Sequence, residues 1–316
     1  MPTPTPAVPS PPDAAPFHNR LLGTILGSAL GDALGMPVEG LSHQNVRTYY
    51  KGIKEPRADE KREDLGVGQW TADTQRARAI LQALAIGAPD SPDEVRAALR
   101  DTMPSDEALR RGGVVSPSGA VAACAAPLGM QARLRGLKDL ASARWSQLLL
   151  QDVDPSPVAH AASAAQIAAV RTCLGKDPDG LAGPEILAAA LAAAREAERL
   201  LGTKDDRVSS RLALLQGHLD AFPLDLQDLC DGTGSAADEA VPFAIAMVAR
   251  SPALVESTML SAVNVGGDTS AIGACVGALL GALHGVGAFP ADWLAVLEDR
   301  EAIEAETRAV IEALGG

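Results

Sequence analysis

The feature that most constrains this chain is a pair of glycine ladders, one near each end. In SAVNVGGDTSAIGACVGALLGALHG, residues 261–285, glycine recurs at every fourth position as Gly273, Gly277, Gly281 and Gly285. The same spacing appears as Gly23, Gly27, Gly31 and Gly35 in LLGTILGSALGDALGMPVEG. Glycine inside a helix costs about 1 kcal/mol relative to alanine, so four in one helix cost roughly 3–4 kcal/mol. A helix that keeps them needs the bare face they create. Residues i and i+4 share a face, and two such faces let helix backbones cross unusually closely. The spacing predicts two buried, neighbouring helices. Glu39 and Asp268, the carboxylates at their ends, then approach one another.

The span between Asp268 and Asp292 carries no charge, and long apolar runs with GxxxG spacing also suit membrane helices. This one is dominated by Ala and Gly, contains His284, and lacks an aromatic belt or a flanking basic cluster. It reads as a core helix. Aromatic residues make up only 3% of the chain, which favours helices packed through small residues. No run alternates apolar and polar residues for long enough to be a strand, and no repeat has a solenoid period. The prediction is an all-α fold: a single compact domain over residues 17–316 with roughly 10–14 helices of ordinary length. A Pro-rich tail, residues 1–16, precedes it and is expected to lack packed structure.

The formal net charge of −13 argues against nucleic acid and anionic membranes as partners. It leaves a phosphate-bearing small ligand open. The cysteines, Cys124, Cys173, Cys230 and Cys275, are far apart and form no CxxC. They read as small buried apolar residues, neither a zinc site nor a disulfide framework. The N-terminus has no basic start and no apolar h-region, so the expected location is cytoplasmic.

Along the chain, Asp32 lies inside an apolar helical pattern and reads as a buried acid capping a neighbouring helix. Residues 41–69 form a long polar loop that closes on GQWTADTQ, where Thr71 or Asp73 can cap the next helix. Ser116, Ser118 and the amides near Gly119 open a small-residue helix and are candidates for holding an anion. The turn containing Gly232, Gly234 and Ser235, and the pair Gly266–Gly267, are further ligand-binding candidates. The first of these lacks the strand–GxGxxG–helix context of a dinucleotide fingerprint. No Ser/His/Asp set stands out, and the five histidines have no metal-ligand spacing. The chemistry falls instead to acids just off helix ends, namely Glu39, Asp73 and Asp268. Such a set offers oxygen ligands to Mg²⁺ or Mn²⁺. It also offers a general acid or base, with Glu39 and Asp73 as the catalytic candidates.

The blocks GTILGSALGDALGMPVEG, GQWTADTQ, SGAVAACAAPLG and NVGGDTSAIGACVGALLGALHG, in this order, resemble the ADP-ribosylglycohydrolase family. The similarity runs from about Leu21 to Gly285. It implies an all-α fold, two Mg²⁺ or Mn²⁺ ions in a central cleft, and cleavage of the bond between ADP-ribose and a side chain or small acceptor. The family's Thr-Asp-Asp-Thr is here Thr71-Ala72-Asp73-Thr74, and its Gly-Gly-Asp-x-Asp-Thr is Gly266-Gly267-Asp268-Thr269-Ser270-Ala271. The resemblance thus carries the metal-ligand role to Thr71, Asp73 and Asp268, keeps the family acid as Glu39, and loses ligands at Ala72, Ser270 and Ala271. The central Asn-Gly-x-x-Met-Arg block and the Thr-His-x-x-Pro motif are also altered, the latter to Val153-Asp154-Pro155-Ser156-Pro157. At most one weakly held ion is expected. Three functions remain open. One is an ADP-ribosyl hydrolase with an altered site. Another is an inactive relative that binds ADP-ribose or a protein partner through the same cleft. The third is a helical protein with no ligand.

Overall fold

The computed structural model describes residues 14–60, 65–87, 90–105, 108–109, 117–180 and 183–315. Among these residues the protein is all-α, with one isolated backbone bridge, Ser42 to Gly266, and no strand. The helices in order are α1 (Ala14–Gly35), α2 (His43–Asn45), α3 (Ala72–Ile86), α4 (Pro92–Thr102), α5 (Pro117–Ala123), α6 (Ala126–Leu134), α7 (Asp139–Leu150) and α8 (Pro157–Gly175). They continue with α9 (Gly183–Leu201), α10 (Arg207–Leu215), α11 (Pro223–Leu229), α12 (Ala237–Arg250), α13 (Val255–Val263), α14 (Thr269–His284), α15 (Ala291–Val296) and α16 (Arg300–Ala313).

The centre is the pair α1–α14. The helices run antiparallel, and their glycine ladders interlock backbone to backbone. A Cβ added at Gly31 would lie 1.9 Å from the Gly273 carbonyl oxygen, and one at Gly277 would lie 1.9 Å from that of Gly27. At the ends of the seam, a Cβ at Gly281 would lie 1.8 Å from the Gly23 oxygen, and one at Gly35 would lie 1.9 Å from the Thr269 oxygen. No side chain can rotate away from such contacts, so only glycine permits this approach. The seam is tied at both ends. Thr269 Oγ1 donates to the Gly35 carbonyl at 2.7 Å, and Arg20 Nε donates to the Ala282 carbonyl at 2.7 Å.

Every residue of α14 from Thr269 to Leu283 is buried. The helix is surrounded by α1, α3, α5, α8, α12 and α13. This explains how it can be apolar all round, which is the mark of a helix with no solvent face. One helical stretch, Pro16–Val38, is long and apolar enough to cross a membrane, and 94% of its most apolar window is buried inside the protein. All four cysteines are free and buried, and burial pushes the thiols of Cys124, Cys173 and Cys230 up to about 12.

One boundary differs from expectation: α1 already includes Ala14 to Pro16, because Pro fits the first turn of a helix; residues 1–13 lie outside the described residues. At the other end of the chain are two helices, α15 and α16. They are separated at Leu297–Asp299, where Asp299 takes a left-handed conformation, φ 54°. That break lets Glu298 N–H donate to the Gly68 carbonyl at 3.0 Å and lets the Glu298 carbonyl accept from Trp70 Nε1 at 3.1 Å. The loop leading to α3 is thereby anchored by the C-terminal segment.

Candidate functional site

Because α1 and α14 are antiparallel, the C-terminal end of one meets the N-terminal end of the other. Glu39 follows α1 after the short 3-10 turn Met36–Val38, and Asp268 immediately precedes α14. Glycine makes the junction possible. Gly266 and Gly267 have φ of 90° and 89°, a region that favours glycine. The loop is clamped on both sides. Gly40 N–H donates to the Gly267 carbonyl and Gly267 N–H to the Leu41 carbonyl, both at 2.8 Å. Asp268 N–H donates to the Thr233 carbonyl at 2.7 Å, and Thr233 Oγ1 to the Gly266 carbonyl at 2.8 Å.

The third acid arrives from α3. Thr71 is its N-cap, and its hydroxyl accepts from Asp73 N–H at 3.4 Å. The start of α3 is fastened to α1 by Asp32, whose Oδ2 accepts from Thr71 N–H at 3.0 Å, Thr74 N–H at 3.1 Å and Thr74 Oγ1 at 2.7 Å. Asp32 therefore caps a neighbouring helix, as its place in the apolar pattern predicts. The cluster is closed by α5. A Cβ on Gly119 would lie 2.7 Å from Asp268 Oδ2, so the missing side chain lets this carboxyl rest against the helix.

Glu39, Asp73 and Asp268 are 8%, 6% and 5% exposed, and Asp32 is fully buried. Burial disfavours charge, and neighbouring carboxylates disfavour it further. Burial, then the Asp73 charge, pushes the Asp32 carboxyl up to about 8, against the pull of its Thr74 and Thr71 hydrogen bonds. Asp268 is held well above the usual carboxylate range by burial, then by the charges of Asp73, Glu39 and Asp32. Asp73 is raised by burial, but the Arg76 guanidinium and a hydrogen bond from the Ser270 hydroxyl favour its charged form. Asp268 thus feels the charges of Asp73, Glu39 and Asp32, and Asp32 feels that of Asp73.

Several of the remaining candidates sit beside this junction. Ser235 is a neighbour of Gly119. The Gly234 amide is taken by the chain's own Glu239, whose Oε2 accepts from it at 2.8 Å and also crowds Gly232. The Gly267 amide is likewise spent on Leu41. The Ser118 backbone lies in α5, and Ser116 lies outside the described residues. Sequence reasoning missed the Arg76–Asp73 pair and the Glu239 contact. The only cue was spacing, since Arg76 falls one helical turn after Asp73. A separate cavity of about 1170 Å³, with Phe222, Leu254, Asn264 and His284 in its lining, contains none of Glu39, Asp73 or Asp268.

The donor set does not fit the two-ion centre implied by the resemblance. Mg²⁺ and Mn²⁺ want several oxygen ligands. Ala72 and Ala271 offer methyl groups, and Ser270 offers only a neutral hydroxyl. The Thr71 hydroxyl already accepts from Asp73 N–H. Arg76 Nη1 places a positive charge 3.9 Å from Asp73 Oδ1. Among the described residues, no group of three or more His, Cys, Asp or Glu side chains is gathered closely enough to hold a metal ion.

With this geometry in hand, comparison with known proteins is direct. The family model for ADP-ribosylglycohydrolase matches residues 13–315, nearly the whole chain. A solved structure described as an ADP-ribosylglycohydrolase-related protein complex is similar in fold, with a TM-score of 0.67 and 23% identity. The similarity covers 95% of this chain and 99% of that one. No curated protein matches the chain in sequence. The chain belongs to the ADP-ribosylglycohydrolase family.

Proposed function

We propose that this member of the ADP-ribosylglycohydrolase family uses the cleft at the α1–α14 junction to recognise ADP-ribose or an ADP-ribosylated substrate, with hydrolysis slow or absent. The observation that carries this reading is the state of Asp73. It keeps the position of a family ligand, but its carboxylate lies 3.9 Å from the Arg76 guanidinium. The scaffold of the site, from Gly266–Gly267 to Gly119, is intact, while the groups that would hold ions are replaced or engaged by the chain itself. At most one weakly held Mg²⁺ or Mn²⁺ is compatible with what remains.

A second reading is hydrolysis by an altered site. It is favoured by the mutual influence of Glu39, Asp73 and Asp268, because a pair of carboxyl groups is the usual equipment for cleaving a glycosidic bond. In that reading Glu39 and Asp73 are the catalytic residues. For either reading the surroundings are cytoplasmic, with no nucleic acid or membrane as partner, in keeping with the acidic chain.

Titration calorimetry with ADP-ribose, in the presence and absence of MgCl₂ or MnCl₂, tests the proposal. Binding that does not require the metal is expected. No heat at millimolar ADP-ribose under either condition would overturn it. Release of ADP-ribose from ADP-ribosylated arginine or serine peptides at the rate of an intact relative would replace it with the second reading.

A further inference from the structure

Arg76 is the feature of the cleft that the family comparison does not explain. It lies three residues after Asp73 on α3, so the two side chains share one face. Nη1 and Oδ1 are 3.9 Å apart, and the side chains are only 16% and 8% exposed. This is an ion pair at contact range, shielded from bulk water, and not a surface pair of small consequence. The helix that carries it, α3, packs on α5, whose Gly119 backs Asp268. A carboxylate that is a metal ligand in the resemblance thus has, within 4 Å, a cation of this chain that proteins do not deprotonate.

We infer that Arg76 is the built-in counter-cation of the cleft: its guanidinium stands at Asp73 in the electrostatic place of a divalent ion and opposes the binding of Mg²⁺ or Mn²⁺. An ion approaching Asp73 meets a fixed positive charge 3.9 Å from its Oδ1. The inference rests on the reading of the cleft given above and adds the residue that sets its metal preference.

The test is titration of the full-length protein with MnCl₂ alone at low ionic strength, read by calorimetry and by the electron paramagnetic resonance of free Mn²⁺. Arg76→Met removes the charge and keeps an unbranched stem, while Arg76→Lys keeps the charge. Arg76→Met is expected to bind Mn²⁺ about tenfold or more tightly than the wild type, and Arg76→Lys to match the wild type. The comparison is repeated on the triple variant Ala72→Asp, Ser270→Asp, Ala271→Thr, in which the missing ligands are restored. There the addition of Arg76→Met is expected to raise affinity again. If Arg76→Met fails a circular-dichroism check of folding, Arg76→Gln takes its place. Equal Mn²⁺ affinity with and without the charge in both backgrounds overturns the inference, as does an equal gain in the Met and Lys variants. ADP-ribose calorimetry on the same samples separates the two claims. A wild type that fails to bind ADP-ribose sinks the functional reading alone, and an unchanged Mn²⁺ affinity sinks the Arg76 inference alone.

Discussion

Gly277→Ala is the sharpest perturbation of the central seam. In an ordinary helix this change stabilises by about 1 kcal/mol. Here the new Cβ would lie 1.9 Å from the Gly27 carbonyl oxygen and 2.6 Å from its carbon. A carbon and a carbonyl oxygen rest about 3.3 Å apart, so the helices must separate by roughly 1.4 Å. Both sides of the contact are backbone, and neither side can yield by a rotamer change. The neighbouring contacts at Gly31–Gly273 and Gly23–Gly281 are equally tight. Separation at one rung therefore loosens the others, and even a gap of about 1 Å forfeits a large part of the dispersion energy. Overpacking costs of about 1–3 kcal/mol are typical, and the spread along the seam puts this case at the upper end. A net loss of roughly 3 kcal/mol lowers the melting temperature of a chain this size by about 6 °C. The control is Gly287→Ala, where nothing lies within 4 Å of the new Cβ; it should stay within about 0.5 kcal/mol of the wild type. Scanning calorimetry on both variants decides the matter. A Gly277→Ala protein that melts at or above the wild-type temperature would refute the close crossing.

Thr74→Val keeps the shape of the side chain but removes the 2.7 Å hydrogen bond to Asp32. With its carboxyl pushed up to about 8, Asp32 is mostly the neutral acid at pH 7, so urea denaturation should show a loss of roughly 1 kcal/mol; a loss indistinguishable from zero would mean that Asp32 does not hold α3. His160 is 3% exposed, and among the described residues its Nδ1 has no hydrogen-bond partner. Burial lowers its pKa below 6.5, with Asp154 opposing. The unfolded chain therefore takes up a proton first as pH falls below about 6.5, and stability drops on the acid side. His160→Leu should lose that dependence, so its stability relative to the wild type improves from pH 7 to pH 5.5; a difference that does not change with pH would count against a buried neutral imidazole.

The seam was legible because glycine every fourth residue is costly in a helix and is tolerated only where backbones touch. Its geometry also brings the ends carrying Glu39 and Asp268 together. The start of α3 followed from local capping chemistry, with Thr71 as its N-cap. What local sequence did not show were contacts made across long separations. The break between α15 and α16 depends on Gly68 and Trp70, which accept and donate at Glu298 more than 200 residues away. The Gly-rich turn at Gly232–Ser235 has the look of an anion cradle, but Glu239, one turn into the next helix, already supplies the anion. Arg76 was unreadable for a related reason. An arginine on a helix is ordinarily a solvated charge, and only the positions of α5 and α14 make this one face inward.

The antiparallel seam also sets an order of events during synthesis. Gly35 and its partner Thr269 are separated by 234 residues, so α1 leaves the ribosome long before the helix that covers its bare face exists. Chain growth runs at about 5–20 residues per second, which leaves that apolar face uncovered for roughly ten seconds or longer. Closing so long a loop adds only slowly to the entropic cost, so delay is the greater hazard. The nascent chain must keep this long apolar helix from associating with other chains, and α5 to α12 are made in that interval. A ribosome stalled anywhere before Thr269 releases a chain in which the centre of the fold cannot form at all.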